Sequence, residues 1–230
     1  MTATDLAHRL PSIAAVRTLS RSFAVLDAIL SPNGHATYTF DSRWAGHQEL
    51  ASMDNGSGDE YSIVFTPAGA FIRGFDHESP MSPYADEDYE LWPGLVESIP
   101  EQFAEQATEP AFCHHGDTEP FLAATVCLWR LHDDSAWRTG DIEFPPQEQS
   151  TDPDGSDWLF GLLAEGTPEA YRAYATDYFE VSLDSAAVGE VFEHRPLTTD
   201  LVRRINPHTD LASLTETLDT IGYPFTEVRA

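Results

Sequence analysis

The sequence predicts an α+β fold, with strands and helices segregated along the chain rather than alternating. Three observations carry this expectation. An apolar stripe recurs every three or four residues from Leu6 to Ile29. The middle of the chain holds short β-branched and aromatic runs separated by turn residues. Beyond Ser156 the pattern is helical again. The expected architecture is an antiparallel meander of about six strands, with an N-terminal helix and a C-terminal helical layer.

The stripe comprises Leu6, Leu10, Ile13, Val16, Leu19, Phe23, Leu26 and Ile29. Proline is excluded from helix interiors, so the main helix starts near Pro11 or Ser12. Ser31-Pro32-Asn33-Gly34 ends it. HATYTF (35–40) and the weaker ELASM (49–53) are strand candidates. Asn55 to Asp59 is a turn. YSIVF (61–65) and AFIRGF (70–75), joined by Thr66-Pro67-Ala68-Gly69, read as an antiparallel hairpin. A loop rich in proline and acids runs from His77 to Pro93. Leu95, Val96, Ile99 and Phe103 are helically spaced, which gives either a short helix or two turns joined at Pro100. LAATVCLWR (122–130), the turn HDDS (132–135) and AWRTGDIEF (136–144) read as a second hairpin. DWLFGLLAEG (157–166), TPEAYRAYATDYF (167–179), 197–205 and 210–221 are helical candidates, and YPFTEV is a candidate edge strand. One domain over 1–230 is expected, with a sub-boundary near 145–156, where PPQEQSTDPDGS is polar and turn-rich.

Charge is the strongest signal. Of 230 residues, 39 are Asp or Glu and 12 are basic, for a net charge of −27. All the basic residues are arginine. No arginine lies between Arg73 and Arg130, a stretch holding twelve acids, nor between Arg138 and Arg172, which holds eight more. Such a surface repels phosphate backbones and anionic lipid and attracts basic proteins and cations. General solubility, or a salty cytoplasm, is the plainer explanation. The longest apolar run, Phe121 to Trp129, is far short of the roughly 20 residues of a spanning helix. MTATDLAHRL carries Asp5, His8 and Arg9 where a leader would be apolar. The expected location is the cytoplasm. Two cysteines make no disulfide framework, and Cys127 reads as a core thiol.

Few motifs carry chemistry. Asp76-His77-Glu78 follows a predicted strand end and groups acid–base and ligand chemistry, although strand alternation sends His77 away from Asp76 and Glu78. The plainer reading is a capped turn steered by Pro80 and Pro83. Asp152, Asp154 and Asp157, in DPDGSD, resemble part of a calcium loop, but position twelve of that loop is Leu163 rather than Glu. A turn that caps the following helix is the simpler account. Cys113, His114, His115 and Asp117 lack zinc-ligand spacing. The glycines of NGSGDE lack the lysine of a phosphate loop. No nucleophile elbow, HExxH or dinucleotide fingerprint is present, and no cofactor is expected. Asp86, Glu87, Asp88, Glu90 and Trp92 interleave acids with an aromatic, the composition of a surface that steers and anchors a protein partner.

Five segments together carry a resemblance: LPSIAAVRTLSRSFAVLDAILSP, ASMDNGSGDEYSIVF, GFDHESPMSPY, TGDIEFP and DPDGSDWLF. They resemble a family of uncharacterised bacterial cytosolic proteins, over roughly residues 10–180, for which no activity is established and no site residue carries over. In size, acidity and order of elements the chain is also loosely similar to immunity proteins of bacterial toxin systems. That likeness implies a basic toxin domain as partner. The leading expectation is therefore an acidic binding module for a basic partner. The alternatives are a hydrolase or metal protein using Asp76, His77 and Glu78, and a nucleic-acid mimic.

Overall fold

In a computed structural model, residues 1–32, 34, 36–85, 88–115, 120–146 and 150–226 are described. Two helices open the chain, α1 (Ala3–Arg9) and α2 (Ile13–Leu30). The strands β1 (Tyr38–Ala45), β2 (Gln48–Asp54), β3 (Glu60–Thr66), β4 (Gly69–Phe75), β5 (Cys113–His115), β6 (Pro120–Leu122) and β7 (Val126–Leu131) follow. The helices α3 (Ser156–Glu165), α4 (Pro168–Tyr178), α5 (Ser185–Phe192), α6 (Thr199–Ile205) and α7 (Thr215–Ile221) complete it. The protein is α+β. Its antiparallel sheet has five strands in the order β1-β2-β3-β4-β7, and β5 and β6 form a separate pair. No described helix is long and apolar enough to cross a membrane.

The backbone divides into two compact units, one of Met1–Ile13 with Met53–Ala164, the other of Ala14–Ser52 with Glu165–Ala230. In this part of the chain the division falls at 164/165.

In the first unit, β3 and β4 are buried along nearly their whole length, so the alternation of Tyr61, Ile63 and Phe65 places them on one of two covered faces. The register pairs Glu60 with Phe75 and Ser62 with Arg73, and Arg73 in turn with Cys127. Side chains alternate across a sheet, so two layers cover it. One face carries Tyr61, Ile63 and Ile72 beneath α3, with Tyr61 stacked on Phe160 at 4.8 Å. The other carries Phe71, Arg73 and Phe75 beneath Tyr84, Phe103, Phe112 and His114. There Phe71 meets Phe103, and the Arg73 guanidinium lies over Phe112. Cys127 is buried as expected.

In the second unit, α2 is the central helix. Phe23 packs on Tyr38, Tyr171 and Phe192. The end of α2 is closed by Asn206 Nδ2 and Thr209 Oγ1, which donate to the Ile29 carbonyl at 2.9 and 2.8 Å, so a free helix-end acceptor finds partners. Asp27, fully buried on α2, accepts from Tyr171 Oη at 2.6 Å and from Tyr38 N at 3.0 Å.

Of the two alternatives for residues 94–107, the turns hold and the helix does not; other local expectations are corrected. Pro100 is extended, with ψ 148°, and short 3-10 turns stand at Glu101–Phe103 and Gln106–Thr108. A proline that lacks its N–H, inside a segment too short to nucleate, leaves only tight turns. Residues 136–144 form no strand. One antiparallel bridge, Trp129 with Arg138, is all that remains of the second hairpin. Beyond it the chain crosses the 94–95 backbone so closely that a Cβ on Gly140 would sit 1.8 Å from the Gly94 carbonyl oxygen. Thr139 Oγ1 donates to the Cys127 carbonyl in place of a ladder bond. The run 122–130 splits into β6 and β7. Helix α5 lies outside the expected helices, and the described part of the tail, to residue 226, contributes a single parallel bridge, Leu197 with Phe225.

Candidate functional site

The densest grouping of chemistry in the first unit lies where β3 begins and β4 ends. The 55–59 turn is tied by Asn55, whose Oδ1 accepts from Ser57 N and Asp59 N at 2.8 and 3.2 Å. The Glu60–Phe75 pairing then sets Asp59 beside Asp76 at the same sheet end. Strand geometry stops there. Ser79 N donates to the Asp76 carbonyl at 3.2 Å and turns the chain, so the alternation expected for 76–78 does not hold. His77 swings back onto Asp59, and Glu78 projects into solvent.

Asp59 is the hub. Its Oδ1 accepts from His77 N at 3.1 Å and lies 2.7 Å from His77 Nδ1. Its Oδ2 accepts from Asn55 Nδ2 at 2.8 Å and from Trp158 Nε1 at 3.0 Å. Burial pushes this carboxyl up, but the hydrogen bonds from His77, Trp158 and Asn55 outweigh it and hold it below the ordinary range. The carboxylate in return raises His77, mainly through that same hydrogen bond. Asp76 is raised, first by burial and then by the charges of Asp59 and Asp152, while a 3.0 Å bond from Glu78 N opposes this. The ligand atoms of Asp59, Asp76 and His77 all lie within 4.8 Å of one another, and no other such set of three occurs among the described residues.

The opposite wall is the start of α3. Gly155 has φ +77°, and a Cβ there would lie 2.4 Å from the Asp76 Cβ. Only glycine lets this turn press on Asp76. Asp152 caps the helix, accepting from Asp157 N and Trp158 N, each at 2.9 Å. Asp154 is fully buried and accepts from Ala3 N at 2.7 Å and Ser156 N at 3.0 Å. Burial pushes its carboxyl up to about 6. Asp157 is exposed. Asp152 and Asp154 are thus committed to backbone amides, and the two do not join a ligand cluster with Asp157.

Trp158 is 66% exposed, more than any other large hydrophobic side chain described. Helix α3 buries Leu159, Phe160 and Leu163, which turns Trp158 outward beside the carboxylates. That offset from the buried stripe is the signal by which the sequence marks it. Asp59 has a weaker one, as the last turn residue before a strand. Both were missing from the expected site residues.

The expected partner surface fares unevenly. Asp86 and Glu87 lie outside the described residues. Asp88 and Glu90 are exposed. Tyr89, with φ +54°, stacks on Phe121 at 4.9 Å. Trp92 is half-buried, and its Nε1 donates to the Glu143 carbonyl at 3.0 Å. Tyr89 and Trp92 are therefore partly covered rather than presented as anchors.

Comparison of the chain with protein-family models, with curated proteins and with solved structures gives no match. The family resemblance described above rests on the quoted segments alone.

Proposed function

We propose that the protein is a binding module for a basic partner protein, and that Trp158 with Asp59, Asp76 and His77 is the point of capture. The observation that carries this reading is an exposed indole hydrogen-bonded to Asp59, whose carboxylate lies within 4.8 Å of half-buried Asp76, a residue that forms no ion pair with arginine among the described residues. Asp59 and Asp152 repel Asp76, so an incoming ammonium or guanidinium relieves a standing electrostatic cost. An indole face beside it adds cation–π attraction of about 0.5–2 kcal/mol. The net charge of −27 speeds encounter at low salt. Trp158 takes the anchoring role expected of Trp92, and Asp88 and Glu90 contribute charge. An immunity-like role toward a basic toxin domain in the bacterial cytoplasm is the most concrete form of the reading.

The test is binding of an arginine-rich peptide followed by calorimetry. Trp158→Ala should weaken it at least about threefold, a lost contact of about 0.7 kcal/mol or more. Equal affinity of wild type and variant overturns the reading.

A second reading is favoured by the 4.8 Å grouping of Asp59, Asp76 and His77: the same notch holds a divalent cation, as a hydrolase or metal protein requires. Terbium luminescence sensitised by Trp158 distinguishes the two. Saturable emission abolished by Asp76→Asn supports a metal site, and its absence leaves the peptide-binding reading standing alone.

A further inference from the structure

A second constellation occupies the opposite face of the same sheet end, and nothing above uses it. It begins inside the unit. Arg73 is 1% exposed, and its guanidinium donates to Glu60 Oε1 at 2.5 Å and to the Phe112 carbonyl at 3.2 Å. Glu60 is thereby held in place. His114 Nε2 lies 3.3 Å from the same Glu60 oxygen. This is an ion-pair contact rather than a hydrogen bond; it favours the neutral tautomer with its proton on Nε2, toward the carboxylate, which leaves Nδ1 as the acceptor. Tyr84 Oη is 3.0 Å from Nδ1 and donates to it. The imidazole is clamped edge-on against Phe75, with centroids 5.1 Å apart. Tyr84 itself is 47% exposed and borders the stacked rings of Tyr89 and Phe121.

The order is exposed hydroxyl, base, carboxylate, which is the logic of an activated nucleophile. Burial, with Tyr89 and Glu60 nearby, raises the Tyr84 phenol above its ordinary value. No phenolate stands ready, and a base must take the proton as the new bond forms.

We propose that Tyr84 is a nucleophile, activated by His114 and Glu60, toward neutral or cationic acyl and sulfonyl electrophiles. Anionic substrates are disfavoured by Glu60 and by the exposed Asp88 and Glu90. In the acyl case, Tyr84 Oη forms a bond to the carbonyl carbon while the phenolic proton passes to His114 Nδ1. The leaving group departs with its electron pair and takes that proton from His114. Water then attacks the acyl carbon, gives a proton to His114, and the Oη–carbon bond breaks. His114 returns the proton to Tyr84, and the products are the acid and the free enzyme.

The probe is an aryl sulfonyl fluoride, whose oxygen–sulfur bond to tyrosine is stable and whose fluoride leaves. Tyr178 is an internal control, since it is 50% exposed and stacks on Tyr174 rather than on a base. Peptide mass mapping after labelling of the intact protein should find Tyr84 modified at least about a hundredfold faster than Tyr178, the low end of what a positioned base contributes. His114→Gly should bring the two rates together. Added imidazole should then restore labelling at Tyr84 but not at Tyr178, an outcome that a merely structural role for His114 does not produce. Equal rates at Tyr84 and Tyr178 in the wild type, or a His114→Gly protein that labels undiminished or is not rescued by imidazole, overturns the proposal.

Discussion

Replacing Asp27 by Asn should make the protein's stability less dependent on pH, by an amount that can be worked out. Asp27 is fully buried in the second unit, and no cation is among its partners, which are Tyr171 Oη and the backbone of Tyr38 and Thr37. Burial raises its carboxyl to about 6 from 3.8, against the opposing hydrogen bond from Tyr171. Because the folded value lies above the unfolded one, the folded state binds more protons between them. Stability is therefore fullest below about pH 4 and falls as pH rises toward 6. A difference of about two in pKa corresponds to about 3 kcal/mol. Asn keeps an acceptor for Tyr38 N and stays neutral throughout. Its loss of an acceptor for the Tyr171 hydroxyl costs about 1 kcal/mol, but at every pH alike. Urea unfolding of both proteins at pH 4, 5, 6 and 7 isolates the effect, because Asp154 and the surface acids titrate in both. The stability of the variant relative to wild type should rise by about 2 kcal/mol from pH 4 to pH 7, since part of the full effect is already present at pH 4. A constant gap, or one that closes with rising pH, refutes the argument that burial dominates at Asp27.

Three further outcomes follow from the notch. Gly155→Ala forces a left-handed residue and a Cβ against Asp76. It should cost at least about 1–2 kcal/mol of stability, read as a lowered Tm, with weakened peptide binding. Trp158→Ala removes an exposed ring and one hydrogen bond to Asp59, so thermal unfolding should shift by no more than about 1 kcal/mol even as binding is lost. Protonation of His77, whose value Asp59 raises, places a positive charge in the notch. Affinity for a basic peptide should fall as pH is lowered through the His77 range, and His77→Gln should flatten that profile in calorimetry.

What the sequence made legible followed from local chemistry. The α2 stripe, the β3–β4 hairpin and the Thr167-Pro168 helix start are each encoded within a few residues. What it concealed depended on distant chain. The strand expected at 136–144 has suitable residues, but the close crossing of Gly140 over Gly94 replaces the ladder. At Leu95, Val96, Ile99 and Phe103 the sequence left a short helix or two turns open, and Pro100 decides for the turns. The candidate site shows the same division. Asp76 and His77 were visible as a strand-end pair. Asp59, 17 positions earlier, joins them only through the β3–β4 register, and Trp158 only through α3. Glu78 was grouped with them by adjacency, and the turn at Asp76 separates it.

The most direct measurement is calorimetric titration of an arginine-rich peptide into three proteins at low and high salt: wild type, a Trp158→Ala/Asp76→Asn variant, and an Asp88→Asn/Glu90→Gln variant. Capture at the notch predicts binding to the wild type that weakens as salt rises, a fall of at least about tenfold in the first variant, two lost contacts of about 0.7 kcal/mol or more each, and a small change in the second. Equal losses in both variants, or no binding to the wild type at low salt, would contradict it.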